Sequence, residues 1–308
     1  MTNRLETCQL SHGNPKIENH LICKGAKCYN KAKMNERYVK DFIARLSDLS
    51  TIPDMLGKII CIIRDENSSP QDLYTLISHD QSLAERVVRI ANSAIFGHSG
   101  EVKEIRQAIM FLGCERIKSI AMGMSIMEIF PSRNSFNLKR LWIHSYEVAF
   151  ISAMLSEITP ISSPSETFLA GLLHDIGRII LYKIDPKRFL EIKTTDDMFD
   201  REIELFGCTH MDAGSWFAEG RGLPEEIVYS IRYHHKPSLA DKFRDIISIV
   251  SLAEALSRVF SPKIEDDGIW SNEHSAILLE YSLKDDHLNN IKQQLDAAKP
   301  DIQDFFSS

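Results

Sequence analysis

SETFLAGLLHDIGRIILY, residues 165–182, decides how the chain is read. Its apolar residues recur at helical spacing, with Phe168, Leu172 and Ile179 on one face and Asp175 in line with them. A carboxylate on such a stripe is buried, and burying an unpaired charge costs several kcal/mol or forces protonation. Something positive has to meet it. No Lys or Arg shares the stripe, and the adjacent residue is His174.

Outward from this stretch the same arrangement recurs. His144 shares a face with Val148, Ile151 and Leu155, His210 lines up with Ala213, Gly214 and Phe217, and His234-His235 follow Ile227 and Ile231. Glu254 follows Ile247 and Val250 at the same spacing. A single core histidine is usually only hydrogen-bonded, and paired histidines at a helix end also suit the C-terminal dipole. Recurrence on five separate apolar stripes points instead to a metal site made by His144, His174, Asp175, His210, His234, His235 and Glu254. Imidazole nitrogen with carboxylate oxygen suits a divalent transition metal such as Fe, Mn or Zn, whereas Ca and Mg prefer oxygen alone. Neighbouring residues on a helix project about 100° apart. His174 and Asp175 therefore reach two sides of one ion, or Asp175 bridges two. Paired metals about 3.5–4 Å apart serve phosphoester hydrolysis.

The rest of the chain reads as all-α with two helical lobes. Residues 1–37 form a polar arm, 38–135 a first lobe, 136–262 the lobe with the metal site, and 263–308 a helical tail. The boundary between lobes falls at the breaker cluster Pro131–Ser135. In the first lobe helices begin near Pro53 and Ser69-Pro70, Ser82 caps another, and Gly97–Gly100 makes a turn. In the second, helices are expected at about 138–157, 165–182, 186–194, 199–219, 224–235 and 243–260. Strand-like alternation is nearly absent. Met110, Met122, Met124 and Met127 read as core filling. Asn92-Ser93 would weaken a helix interior unless their polar groups bond across to a neighbour. Cys8, His12, His20, Cys23 and Cys28 in the arm are a minor alternative metal set: four residues between Cys23 and Cys28 are allowed, but the 14 between Cys8 and Cys23 match no standard finger.

An apolar fraction of 44% supports a real core, and a net charge of −7 argues against general nucleic-acid binding. It leaves room for a small phosphorylated ligand. The first twenty residues carry no apolar signal, and the apolar run Leu56–Ile63 is too short to insert in a bilayer. The expectation is a cytoplasmic protein whose six cysteines stay reduced, without a structural disulfide.

Leu172-Leu173-His174-Asp175-Ile176-Gly177 resembles the signature of the HD superfamily of metal-dependent phosphohydrolases. Residues 52–97, together with Gln107-Ala108-Ile109, Leu112-Gly113 and Leu223-Pro224-Glu225-Glu226-Ile227, resemble an HDOD domain over about 45–260. That resemblance implies an N-terminal helical lobe paired with an HD-like lobe, in a signal-transduction output module that meets a signalling partner or a small phosphorylated ligand. The metal residues also resemble, in order, the ligands of the HD-GYP phosphodiesterases of cyclic dinucleotides. Here Glu254 stands where those have Asp, and Arg140 precedes His144 where some have Glu. Lys236-Pro237-Ser238 replaces the glycine-rich loop. Arg178 replaces the usual Lys, and Arg clamps phosphate without donating a proton. As a phosphohydrolase, the chain would rely on Asp175 and Arg178 for catalysis. A structural relic of the fold with an empty site is the third reading.

Overall fold

The computed structural model describes residues 34–46, 53–65, 67–92, 102–132, 135–159, 161–192, 197–260 and 270–306. The arm with its cysteines and histidines, and the turn at Gly97–Gly100, lie outside them. Six helices come first: α1 Glu36–Leu46, α2 Pro53–Arg64, α3 Pro70–Ser78, α4 Gln81–Ala91, α5 Ile105–Leu112 and α6 Cys114–Ile129. Then follow α7 Phe136–Ile158, α8 Pro164–Leu173, α9 Ile176–Ile184, the single turn α10 Pro186–Phe189, and α11 Met198–Phe206. The series ends with α12 His210–Gly220, α13 Glu225–Tyr233, α14 Arg244–Phe260, α15 Asn272–Glu280 and α16 Asp285–Phe305. No strand occurs among the described residues, so the all-α expectation holds.

Local chemistry sets the helix ends. Ser69 and Asp72 form a reciprocal capping box with Pro70 in the first turn of α3. Asp80, not Ser82, caps α4: its side chain accepts from the Leu83 amide, and Ser82 lies inside the first turn. Asn92 ends α4 and exchanges hydrogen bonds with the backbone of Val102, at 2.7 Å to its carbonyl and 3.0 Å from its amide. The polar group therefore joins two segments instead of weakening a helix interior. Met122, Met124 and Met127 are buried, but Met110 is 80% exposed and is not core.

At 23 residues α7 is the axis of the second lobe, buried almost all round and packed against α8, α14 and α16. A helix with apolar residues on every side belongs in a core. α6 lies against α8, linking the first set of helices to the second, while α1 leaves its own neighbours to pack on α12 and α9.

Two continuous helices expected from periodicity are each broken. The stretch 165–182 divides at His174-Asp175, where Asp175 takes φ −101°, ψ 17° between α8 and α9. The stretch 199–219 divides at Gly207, which adopts φ +80°, before Thr209 and Asp212 cap α12. Apolar spacing carries across a one- to three-residue break almost unchanged, so periodicity alone does not register it. Both breaks lie beside candidate metal ligands.

Candidate metal centre

The seven candidate ligands converge on one buried point. α7 supplies His144, the α8–α9 junction His174 and Asp175, the start of α12 His210, the end of α13 His234 and His235, and α14 Glu254. Asp175 is at the centre. Its Oδ1 lies 3.5 Å from His210 Nε2 and 3.8 Å from His234 Nε2, and its Oδ2 lies 3.6 Å from His174 Nε2 and 3.8 Å from His144 Nε2. Glu254 Oε2 lies 3.9 Å from His234 Nε2 and 3.7 Å from His235 Nδ1. These separations are too long for hydrogen bonds. They approach the spacing of atoms sharing an ion, since two ligands each about 2.1 Å from a metal lie roughly 3–3.5 Å apart.

The outer nitrogens explain why the rings face inward. His174 Nδ1 donates to the Gly171 carbonyl at 2.7 Å, and His234 Nδ1 to the Ile231 carbonyl at 2.9 Å. A carbonyl only accepts, so Nδ1 carries the proton and the Nε2 lone pair points at the centre. His210 Nδ1 is held at 2.9 Å by both oxygens of Glu202, whose Oε2 also accepts the His210 amide at 2.8 Å. Outer partners of this kind orient metal-binding histidines. His174 Nε2, His234 Nε2 and Asp175 Oδ1 are buried and make no hydrogen bond. Such orphaned atoms are uncommon in a folded core, and a cation among them satisfies all three. The residues fit a metal.

Two overlapping groups emerge: Asp175 with His210, His234 and His235, and Asp175 with His144, His174 and Glu254. Asp175 belongs to both. Burial alone would raise its pKa, but His174, Arg178 and His210 hold its carboxyl well below the usual range. Burial would also raise Glu254, which His235, Arg258 and His234 keep ionised. Burial pushes His234 down to about 4 and His235 well down, so both present neutral rings at physiological pH. His210 moves the other way: burial would lower it, and Glu202 raises it.

Arg178 Nη1 lies 3.5 Å from Asp175 Oδ2. The sequence stripe placed no cation there. Arg178, one turn further on, reaches back across the junction, as i,i+3 pairs do. The Arg140 guanidinium lies over the Phe136 ring at 5.7 Å. Lys236 leads into a short 3-10 turn, Pro237–Leu239.

Sequence reasoning missed three residues. Arg258 donates to Glu254 Oε1 at 2.7 Å, and the Phe199 ring stacks on His210 at 5.9 Å. Glu202 was legible by the test that found Asp175, since it stands between Met198 and Phe206 on the apolar stripe of α11. Gly177 has a positional reason. A Cβ there would sit 1.8 Å from the His210 carbonyl oxygen and 2.8 Å from the Gly214 amide nitrogen. Only glycine lets α9 and α12 cross closely enough to bring His210 to Asp175.

Comparison with known proteins agrees with this architecture. The family model of the HDOD domain matches residues 49–237. The match thus includes every candidate ligand except Glu254. Among curated proteins, an uncharacterised protein of Treponema pallidum (strain Nichols) is 24% identical over 223 residues, or 70% of this chain and 43% of that protein. The chain therefore spans less than half the length of that relative. An HDOD domain protein of unknown function from Geobacter sulfurreducens superposes with TM-score 0.64 at 23% identity, covering 88% of this chain and 96% of the other. A candidate phosphohydrolase of Shewanella amazonensis gives 0.67 at 22%, covering 86% and 97%. A candidate signal transduction protein of Marinobacter aquaeolei gives 0.68 at 21%, covering 87% and 64%. At these identities the likeness carries the fold.

Proposed function

The chain belongs to the HDOD family, and we propose that it is a signal-transduction output module whose HD-like lobe is held together by a divalent transition metal. The observation that carries this reading is the burial of the donor set among the described residues. His174, His210 and His234 have no exposed surface, and even the His235 side chain is only 12% exposed. A metal enclosed by seven inward donors suits a structural or regulatory role. Asp175, common to both groups, favours two ions, with Fe, Mn or Zn matching the nitrogen and oxygen donors. The module would act in the cytoplasm on a signalling protein or respond to a small phosphorylated ligand. No described helix is long and apolar enough to cross a membrane.

A second reading, a phosphohydrolase of nucleotides or cyclic dinucleotides, is favoured by Arg178 beside Asp175. A metal would supply the Lewis-acid chemistry of phosphoester cleavage. Around it Asp175 would hold the shared position, Arg178 would clamp a phosphate through paired N–H groups, and His144 would complete the shell or move a proton. Assaying metal-loaded protein on nucleotide phosphodiesters separates the readings. The module predicts bound metal with no turnover above that of Asp175→Ala. Turnover that vanishes in Asp175→Ala would replace it with the hydrolase.

A further inference from the structure

A cleft of about 570 Å³, lined by none of the candidate ligands, lies between α4, the end of α6, α7 and the end of α16. That volume lies within the range of small-molecule sites, roughly 300–1,000 Å³. Arg86 and Arg89 stand three residues apart on α4 and so share a face of that helix. Arg86 Nη1 reaches Glu128 on α6 at 3.1 Å. Arg89 Nη2 donates to the Asp304 carbonyl at 3.3 Å, with its guanidinium over the Phe305 ring at 5.4 Å. The two arginines thus reach different helices, α6 and α16. Trp142 fixes the floor, its Nε1 donating to the Phe130 carbonyl at 3.0 Å. Phe305 and Phe306 pack at 5.0 Å beside Tyr146, giving an aromatic wall next to Arg89. A smaller hollow of about 270 Å³ continues past Arg89 and Phe305.

We propose that this cleft binds a nucleotide, with its phosphate on Arg86 and Arg89 and its base against Phe305 and Phe306. Guanidinium groups recognise phosphate through paired N–H donors, and a planar base fits an aromatic face. Phosphate competes with Glu128 for Arg86. Burial pushes the Glu128 carboxyl up from its ordinary value, against the pull of Arg86. The inference rests on the output-module reading, for which it names the class of small phosphorylated ligand. It places that ligand on the helix that also carries His144, two residues beyond Trp142.

Calorimetric titration of the full chain with AMP, adenosine and inorganic phosphate, beside elemental analysis of the same sample, tests it. The expected result is saturable AMP binding, with adenosine and inorganic phosphate each weaker by about tenfold or more. Arg86→Gln and Arg89→Gln should each weaken AMP by a similar factor. Arg89→Gln also loses a contact to α16, so Ser82→Trp serves as a second variant that narrows the mouth and leaves both arginines in place; it should abolish binding. No saturable AMP binding, or binding as tight to inorganic phosphate, would overturn the proposal. So would binding that survives Arg89→Gln and Ser82→Trp but disappears on chelation. AMP binding by a folded protein that retains less than about a tenth of an equivalent of Fe, Mn or Zn after loading would sink the metal reading alone.

Discussion

Glu202 is the residue through which the centre can be tested without touching a candidate ligand. It accepts from both Nδ1 and the backbone amide of His210, fixing the ring's tautomer and its position. Glu202→Gln keeps the volume but removes the charge and one acceptor. Metal affinity should fall by about 10–100-fold, the range for outer partners of this kind, as read by competition with a chromogenic chelator. An unchanged affinity would mean that Glu202 serves only to pack α11. At this scale the sequence was informative. Six candidate donors were recognised by their place on apolar stripes and His174 by standing beside Asp175; the structure brings all seven together, and Glu202 obeyed the stripe rule. What the stripes could not show was the reach of Arg178 across a helix break, because that depends on the local backbone at Asp175 and not on periodicity.

At the scale of helices, the breaks position the chemistry. α8 and α9 meet at Asp175, and Gly207 in a left-handed conformation turns the chain before α12 begins at His210. Gly177 brings those two breaks together. Gly177→Ala puts a methyl group into the His210 backbone and forces α9 from α12. A loss of about 1–3 kcal/mol or more, typical of overpacking, is expected in urea denaturation, together with weaker metal binding. Wild-type stability in this variant would show that the crossing relaxes freely. Gly207→Ala combines strain at φ +80° with a Cβ 2.7 Å from the Asn35 Cα. It should destabilise by a comparable amount, since α1 would have to shift too. The sequence displayed Gly207 and the Thr209–Asp212 capping pair, yet a continuous apolar stripe outweighed them. Stop signals and periodicity compete, and here the stop signals were right.

For the whole molecule, pH and metal should act on stability in opposite directions around His210. In metal-free protein, burial holds His234 near 4 against about 6.5 when unfolded, so between those values the unfolded chain binds a proton the folded one refuses. Stability therefore falls as pH drops through that window, by about 3 kcal/mol from this residue. His210 is raised by Glu202, so its contribution is complete below about 6.5 and is lost as pH rises through its folded value. Chelated protein should be most stable near pH 6.5 in guanidinium titrations. Metal requires neutral imidazoles, so loading should move the maximum to higher pH. Coincident profiles with and without metal would mean that the histidines hold no ion. The all-helical fold was legible because buried helices such as α7 leave dense apolar runs without strand alternation. The cleft between α4 and α16 was not, because its walls come from residues more than 200 positions apart.

The central claim is that Asp175 and the surrounding histidines hold a divalent transition metal. Elemental analysis of the full chain, loaded with Fe, Mn or Zn and freed of loosely bound ions, tests it most directly. The account predicts one to two equivalents in the wild type and a clear loss in His174→Ala and His234→Ala, with circular dichroism showing the fold retained. Less than about a tenth of an equivalent in a folded, loaded wild type, or equal metal in all three proteins, would contradict it.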